Sequence, residues 1–166
     1  MNLNDLSLAE AEAAFLACCG SHAWARGMAE GRPYTGSEAL LEAADRIWWG
    51  LAPADWREAF AAHPAIGGKL GERKTVGDAQ FRRWSEQEQS GVASAEAGVL
   101  AELEDANRVY AERFGYIFIV CATGKSAEEM LGLLRSRLHN DPDTELSVAA
   151  EEQGKITRLR LMKAQP

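Results

Sequence analysis

The sequence predicts an all-α fold with one buried, partly extended segment near residues 116–122. Apolar residues recur every three or four positions through most of the chain, which is the period of an amphipathic helix. Residues that begin and end helices flank these stretches. Only YIFIVCATG, residues 116–124, has the aromatic and β-branched composition of a strand, and a lone strand has nothing to pair with. We therefore expect this segment to lie irregularly inside a helical domain.

Length and charge limit the class of protein. The 166 residues are enough for one domain, 1–166, that buries about 70% of its unfolded surface. A net charge of −7 disfavours nucleic acid or an anionic membrane as a partner, and an anionic small molecule would need a local arginine. The three cysteines form no C-x-x-C and the three histidines lie far apart, so we expect no metal and reduced, buried thiols. With no signal-like N-terminus and no apolar run near 20 residues, we expect a cytoplasmic protein.

Three helices are predicted in the first third of the chain. The first follows an N-cap at Asn4 or Ser7 and stops at Gly20. The second begins at Ser37 and carries an apolar stripe. The third, PADWREAFAAH, begins with Pro53, a residue suited to the first helical turn, and ends at the stretch AAHPAIGGK, residues 61–69.

Four further helices are predicted after a polar loop at 69–78. A capping box pairs Ser126 with Glu129 in one of them, and Gly154 is a weak point in the last. The longest has apolar residues at 99, 103, 106, 109, 110 and 114. The four segments are 79–91, 94–115, 126–141 and 143–163.

His63 is a candidate for chemistry because its backbone is constrained. Pro64 biases it away from helical angles, and the glycines of AAHPAIGGK let the chain turn sharply just after it. The structural alternative is a ring that only caps the preceding helix. The residues alone leave both interpretations open.

Two other polar groups have the same two interpretations. Ser85, Glu88 and Gln89 fall within one helical turn, which is either a functional cluster or a solvated face. Arg158 and Arg160 lie among apolar residues of the last helix, where an arginine is either a ligand for an anion or a surface side chain that packs along its stem. With no phosphate loop, nucleophile–base pair or metal cluster, this inventory suits cofactor-free proton chemistry on a small polar anion.

The ordered motifs of the chain resemble those of the 2-oxo-4-hydroxy-4-carboxy-5-ureidoimidazoline (OHCU) decarboxylase family. The resemblance covers nearly the whole sequence. It rests on motifs that follow one another in family order: LNDLS, CGSHAW, RPY, HPAIGGK, SEQEQ, NRVYAERFGYIFIVCATGKS, RLHND and KITRLRL. Ala65 departs from it, since many members carry a larger or basic residue there.

The resemblance implies about eight helices, a homodimer and no cofactor. It assigns His63 and Glu88 as catalytic residues. The spacing Lys-Ile-x-x-x-Arg-Leu matches Arg160 rather than Arg158. The implied substrate contacts are Pro64, Ser85, Gln89, Ile117, Phe118, Ile119, Val120, Cys121 and Arg160.

The implied reaction is decarboxylation of OHCU to (S)-allantoin in the oxidative breakdown of urate. Loss of CO₂ leaves an electron pair that flows into the neighbouring C=N bond of the substrate, so no cofactor is needed as an electron sink. Imidazole suits the hydroxyl proton because its ordinary pKa of about 6.5 lies near neutral pH. We also expect backbone N–H and C=O groups of the 117–121 segment to be available for substrate. Two alternatives remain: a helical interaction module that presents Trp48 and Trp49, and a divergent member that acts on another ureido acid.

Overall fold

The regular structure is helical throughout the described part of the chain. The protein is represented by a computed structural model that describes residues 2–64, 84, 87–88 and 97–165. The prediction of an all-α fold is confirmed, and none of the described helices is long and apolar enough to cross a membrane. A 3₁₀ turn at Leu3–Asp5 precedes seven described α-helices: α1 Leu8–Cys18, α2 His22–Glu30, α3 Ser37–Trp49, α4 Pro53–Ala61, α5 Ala97–Phe114, α6 Ala127–Arg137 and α7 Pro142–Ala164.

Local signals place most of the helix starts. Ser7, rather than Asn4, is the N-cap of α1, and it forms a reciprocal capping box with Glu10. Helices α3 and α4 begin at Ser37 and Pro53 as predicted. The Ser126 hydroxyl accepts the Glu129 backbone N–H at 3.1 Å, which caps α6.

Helix α2 is absent from the prediction. Its nine residues, HAWARGMAE, are short and carry a glycine in the middle, so neither length nor helix propensity favours them. Ser21 caps the helix by accepting the Trp24 N–H at 3.3 Å, and packing on α1 and α3 stabilises it. A Cβ on Gly27 would lie 3.1 Å from Ile47, so the glycine allows α2 to pack closely on α3.

Helix α7 forms the middle of the fold and contacts α1, α3 and α4. It runs through Gly154 without a break. Packing along the buried face outweighs the cost of about 1 kcal/mol that a glycine adds to a helix. The Trp48 indole donates to the Ala150 carbonyl of α7 at 3.0 Å, whereas Trp49 is 48% exposed. Val109 is also exposed, which corrects the predicted apolar stripe of α5.

The segment between α5 and α6 has no regular secondary structure and is largely buried, in agreement with the prediction of a buried, irregular segment. Gly115 and Gly124 bound it with positive φ angles of 84° and 78°, which side-chain-bearing residues rarely adopt. Its backbone is held by side chains instead of a neighbouring strand. Arg137 Nη1 donates to the Ile119 carbonyl at 2.7 Å, and Glu152 accepts the Cys121 N–H at 3.2 Å. These bonds satisfy peptide groups that would otherwise be buried without a partner.

A buried ion pair anchors this arrangement. Arg137 Nε and Nη2 donate to Glu145 Oε1 at 2.8 and 2.5 Å, and the Tyr110 hydroxyl donates to the same oxygen. Asn140 Nδ2 donates to the second carboxylate oxygen at 2.9 Å. Burial and the neighbouring carboxylate raise the pKa of Tyr110, which therefore stays a donor. The Arg137 guanidinium also lies 4.4 Å from the centre of the Phe118 ring.

Arg137→Leu should therefore destabilise the fold by roughly 3–5 kcal/mol, because the Glu145 carboxylate would be left buried and uncompensated. Urea denaturation followed by circular dichroism measures the change. Arg135→Leu is the matched control: Arg135 lies on the same helix, is 59% exposed, and pairs with Glu102 at 3.6 Å. We expect that variant to lose at most about 1 kcal/mol. Equal losses in the two variants would contradict a structural role for the buried pair.

Candidate active site

The end of α4 directs His63 toward α7. Its backbone N–H donates to the Phe60 carbonyl at 3.2 Å, which continues the last turn of the helix. Its half-buried ring places Nε2 2.6 Å from Gln153 Oε1 on α7. The ring therefore reaches a different helix instead of merely capping its own.

Gln153 is the first functional candidate that sequence reasoning missed. Its side chain is fully buried, and its Nε2 donates to Thr157 Oγ1 at 3.1 Å. The signal was present in the last helix, since polar residues at 153, 157 and 160 recur at the spacing of one helical face. A run of polar residues on a face that should be apolar indicates buried polar partners.

Gly20 allows α4 to approach the turn between α1 and α2. A Cβ at Gly20 would lie 2.4 Å from the Ala62 Cβ, a distance that real side chains do not tolerate. Because Ala62 immediately precedes His63, this close approach contributes to the position of the imidazole.

Glu88 and Arg160 form the second part of the site. Arg160 Nε and Nη2 donate to Glu88 Oε1 and Oε2 at 3.0 and 2.9 Å, a bidentate pair. The Arg160 side chain is fully buried and that of Glu88 is 9% exposed. Arg160 Nη1 also lies 3.5 Å from the Cys18 carbonyl, at the C-terminal end of α1, where the helix dipole favours a cation. The solvated-face and surface-arginine interpretations are therefore wrong for these two residues.

Arg158 has a different environment although it is only two residues away. It pairs with Asp45 at 2.5 Å, and both side chains are 45% exposed. The sequence pattern left open which of the two arginines is buried. In the structure, Arg160 pairs with Glu88 and is buried, whereas Arg158 lies at the surface.

The thiols near this pair are neutral. Burial raises the pKa of Cys18 to about 12 and that of Cys19 to about 11, with Arg160 opposing both rises. Burial also raises the pKa of Cys121. The charge of Arg160 is therefore matched by the Glu88 carboxylate and not by a thiolate.

The remaining predicted site residues fall into three groups. Pro64 directly follows His63 and is half-buried. In the extended segment, Ile117 is half-buried and Phe118, Ile119, Val120 and Cys121 are buried. Ser85 and Gln89 lie outside the described residues.

The expectation of available backbone groups in the extended segment needs correction. Glu152 accepts the Cys121 N–H, and Lys125 Nζ donates to the Cys121 carbonyl at 2.8 Å. Arg137 Nη1 donates a hydrogen bond to the Ile119 carbonyl. Within the described residues, the peptide groups of Ile117, Phe118 and Val120 have no hydrogen-bond partner. Those three residues are the better candidates for backbone contacts to a ligand.

One helix holds both predicted catalytic side chains. His63 meets Gln153 and Glu88 meets Arg160, and these two positions are seven residues apart on α7. At 1.5 Å per residue, that separation is about 10 Å along the helix axis. A constrained imidazole at one position and a charge-matched carboxylate at the other are the groups that proton chemistry on a small polar molecule would need.

Comparison with known proteins identifies the family of this chain. The model of the OHCU decarboxylase family matches residues 4–162. The chain therefore belongs to the OHCU decarboxylase family. The match includes the residues of both halves of the site.

Individual relatives agree with that assignment. The uric acid degradation bifunctional protein TTL of Arabidopsis thaliana is 43% identical over 148 residues, which are 88% of this chain and 44% of that protein, so the chain spans less than half of its length. The OHCU decarboxylase of Amia calva is 35% identical over 131 residues, 79% of this chain and 73% of that protein. A crystal structure of OHCU decarboxylase in the presence of (S)-allantoin superposes with a TM-score of 0.78 and 38% identity, over 91% of this chain and 96% of that one.

The two arginines of α7 give a matched test of the buried pair. Arg160→Met should cost roughly 3–5 kcal/mol because it leaves the Glu88 carboxylate buried without its cation. Arg158→Met removes an exposed pair and should cost at most about 1 kcal/mol. Thermal and urea denaturation measure both changes.

Glu88→Gln combined with Arg160→Met should restore part of the lost stability, since neither partner then keeps an unmatched charge. If the double variant were as unstable as the sum of the single variants, the two side chains would not be energetically coupled.

Proposed function

We propose that this chain catalyses the cofactor-independent decarboxylation of OHCU to (S)-allantoin, a carboxy-lyase step in urate breakdown. One observation carries the proposal. In a chain that belongs to this family, the two residues predicted to be catalytic are both held against α7, His63 through Gln153 and Glu88 through Arg160.

The substrate itself supplies the electron sink. Its carboxylate is attached to a carbon that also bears a hydroxyl and neighbours a C=N bond. When the C–C bond breaks, its electron pair moves toward that C=N and CO₂ leaves. The protein has to orient this bond, manage the hydroxyl proton and protonate the neighbouring carbon from one side.

His63 is the proposed acid–base group. Its backbone is fixed by the end of α4 and by Pro64, and its ring is fixed by Gln153. An imidazole that is already oriented loses little conformational freedom in the transition state.

Glu88 is the proposed acceptor for N–H groups of the substrate. Because Arg160 donates two hydrogen bonds to it, the carboxylate is fixed in direction and its charge is matched. Arg160 then acts on the substrate mainly through Glu88 and does not hold the departing carboxylate, whose tight binding would stabilise the ground state. Pro64, Ser85, Gln89 and the segment 117–121 remain proposed substrate contacts.

A circular dichroism assay of the product tests the function. Urate, urate oxidase and the ureidoimidazoline-forming hydrolase generate the substrate in place, and an excess of (S)- over (R)-allantoin should appear only when the protein is added. His63→Asn should lower kcat by about 10²–10⁴-fold, the usual contribution of general acid–base catalysis. His139→Asn is the control because His139 is exposed.

Two outcomes would contradict this proposal. Unaided decay to racemic allantoin at an unchanged rate would indicate a protein that does not act on OHCU, such as an interaction module or a family member with another ureido acid as substrate. Wild-type turnover by His63→Asn would mean that the imidazole is structural.

We also propose a homodimer in the cytoplasm. The location is supported by Cys18, Cys19 and Cys121, which are all free thiols, as expected in a reducing compartment. The dimer is supported by exposed apolar side chains on the adjoining helices α3 and α7, where Trp49 is 48% and Met162 51% exposed.

Light scattering should therefore give particles of twice the 18.1 kDa chain mass. Trp49→Glu places a charge on the proposed contact and should give particles of one chain mass. Val109→Glu is the control, since Val109 is a similarly exposed apolar residue on α5. Wild-type particles of one chain mass at micromolar concentration would contradict the dimer.

A further inference from the structure

The hydrogen bond between His63 and Gln153 indicates which ring nitrogen of His63 carries the hydrogen. Gln153 Oε1 lies 2.6 Å from His63 Nε2, and the amide nitrogen of the same side chain donates to Thr157 Oγ1 at 3.1 Å. Gln153 is fully buried and Thr157 is 5% exposed, so neither side chain is free to move into solvent.

The direction of these bonds defines the tautomer of the imidazole. An amide oxygen only accepts hydrogen bonds, so the His63 nitrogen that faces it must carry a hydrogen. A neutral imidazole has one N–H, and the lone pair that can take up a proton is then on the other nitrogen, Nδ1.

We propose that Gln153 is a positioning residue that holds His63 in its Nε2–H tautomer, which makes Nδ1 the nitrogen that exchanges a proton with the substrate. This inference rests on the proposed function, because it requires His63 to be the proton-transfer group. Thr157 supports it indirectly, because its hydroxyl accepts the Gln153 amide N–H and Gln153 Oε1 is then the atom that faces the ring.

The proton balance is simple. The bond to the carboxylate breaks and CO₂ leaves, and its electron pair forms a C=C bond with the neighbouring carbon while the C=N pair moves to nitrogen, which takes a proton from water. The hydroxyl O–H bond then breaks and its proton forms Nδ1–H. The electron pair left on oxygen forms the product carbonyl as the C=C pair takes a proton from water at the neighbouring carbon. The ring is then a cation, and the hydrogen bond from Nε2–H to Gln153 Oε1 strengthens because its donor is charged. Gln153 therefore stabilises the charged ring more than the neutral ring, which favours turnover over binding.

Nitrogen-15 NMR of the imidazoles tests the tautomer without any substrate. The chain has only three histidines, and the His63→Asn variant identifies the signals of His63. We expect wild-type His63, in its neutral form, to show a protonated Nε2 and an unprotonated Nδ1. In Gln153→Leu the two tautomers should interconvert, and the two nitrogen shifts should move toward each other. A wild-type ring protonated on Nδ1, or unchanged shifts in Gln153→Leu, would overturn the inference.

Measurements of kcat and KM distinguish a positioning role of Gln153 from a role in packing alone. Gln153→Leu should lower kcat by roughly 10- to 100-fold, the factor that a hydrogen bond to a charged group supplies, with little change in KM. Gln153→Glu keeps an acceptor facing Nε2 and should recover most of that loss. Thr157→Val should give a smaller loss of kcat, and Thr157→Ser should restore it. Ile156→Val, a buried substitution on the same helix, is the control for packing and should leave kcat unchanged.

The outcomes distinguish this inference from the proposed function. If the wild type forms (S)-allantoin and His63→Asn does not, but Gln153→Leu turns over normally, only the positioning role is wrong. If Gln153→Leu does not fold, the wild-type NMR spectrum and the pair Thr157→Val and Thr157→Ser still decide the matter. A wild-type kcat in Thr157→Val together with an Nδ1–H ring would overturn it.

Discussion

The fold depends on the polar groups that α7 buries. A buried charge or amide is costly unless it is paired, so each polar residue on the inner face of this helix requires a partner from elsewhere in the chain. Glu145 pairs with Arg137, Gln153 with His63, and Arg160 with Glu88. Two of these partners, His63 and Glu88, come from distant parts of the sequence, so α7 defines where those parts must lie.

This requirement links the extended segment to the site. Glu152 of α7 accepts the Cys121 N–H, and Arg137, itself fixed by Glu145 of α7, donates to the Ile119 carbonyl. Side chains thus replace the neighbouring strand that a sheet would provide. The same helix that holds His63 and Glu88 therefore also holds the segment proposed to contact the substrate, and the relative positions of all three are set by one rigid element.

Local signals in the sequence were enough for the fold class and for most helix starts. Ser37, Pro53 and Ser126 act on backbone groups within one turn, so their effect can be predicted without tertiary structure. Helix α2 was missed although Ser21 caps it locally, because nine residues with an internal glycine are a weak helix signal and its packing on α1 and α3 is tertiary.

The site residues divide in the same way. The constraint on His63 is local and was predicted, as was the importance of Glu88 and Arg160 through family motifs. The partners were not. His63 and Gln153 are 90 residues apart, and Glu88 and Arg160 are 72 residues apart, so neither pairing follows from spacing. The buried polar spacing in the last helix shows that partners exist but does not identify them.

The pairing of Arg160 with Glu88 also bears on how a decarboxylase can use an arginine. A guanidinium that bound the substrate carboxylate directly would lose that contact as CO₂ leaves, which would favour the bound substrate over the transition state. In this site both charges are buried and matched before any substrate arrives. In the proposed reaction, the pair presents an oriented carboxylate to N–H groups that persist through the reaction, and the departing carboxylate is weakly held. The proposed division of roles places the binding interactions away from the bond that breaks and assigns proton transfer to His63.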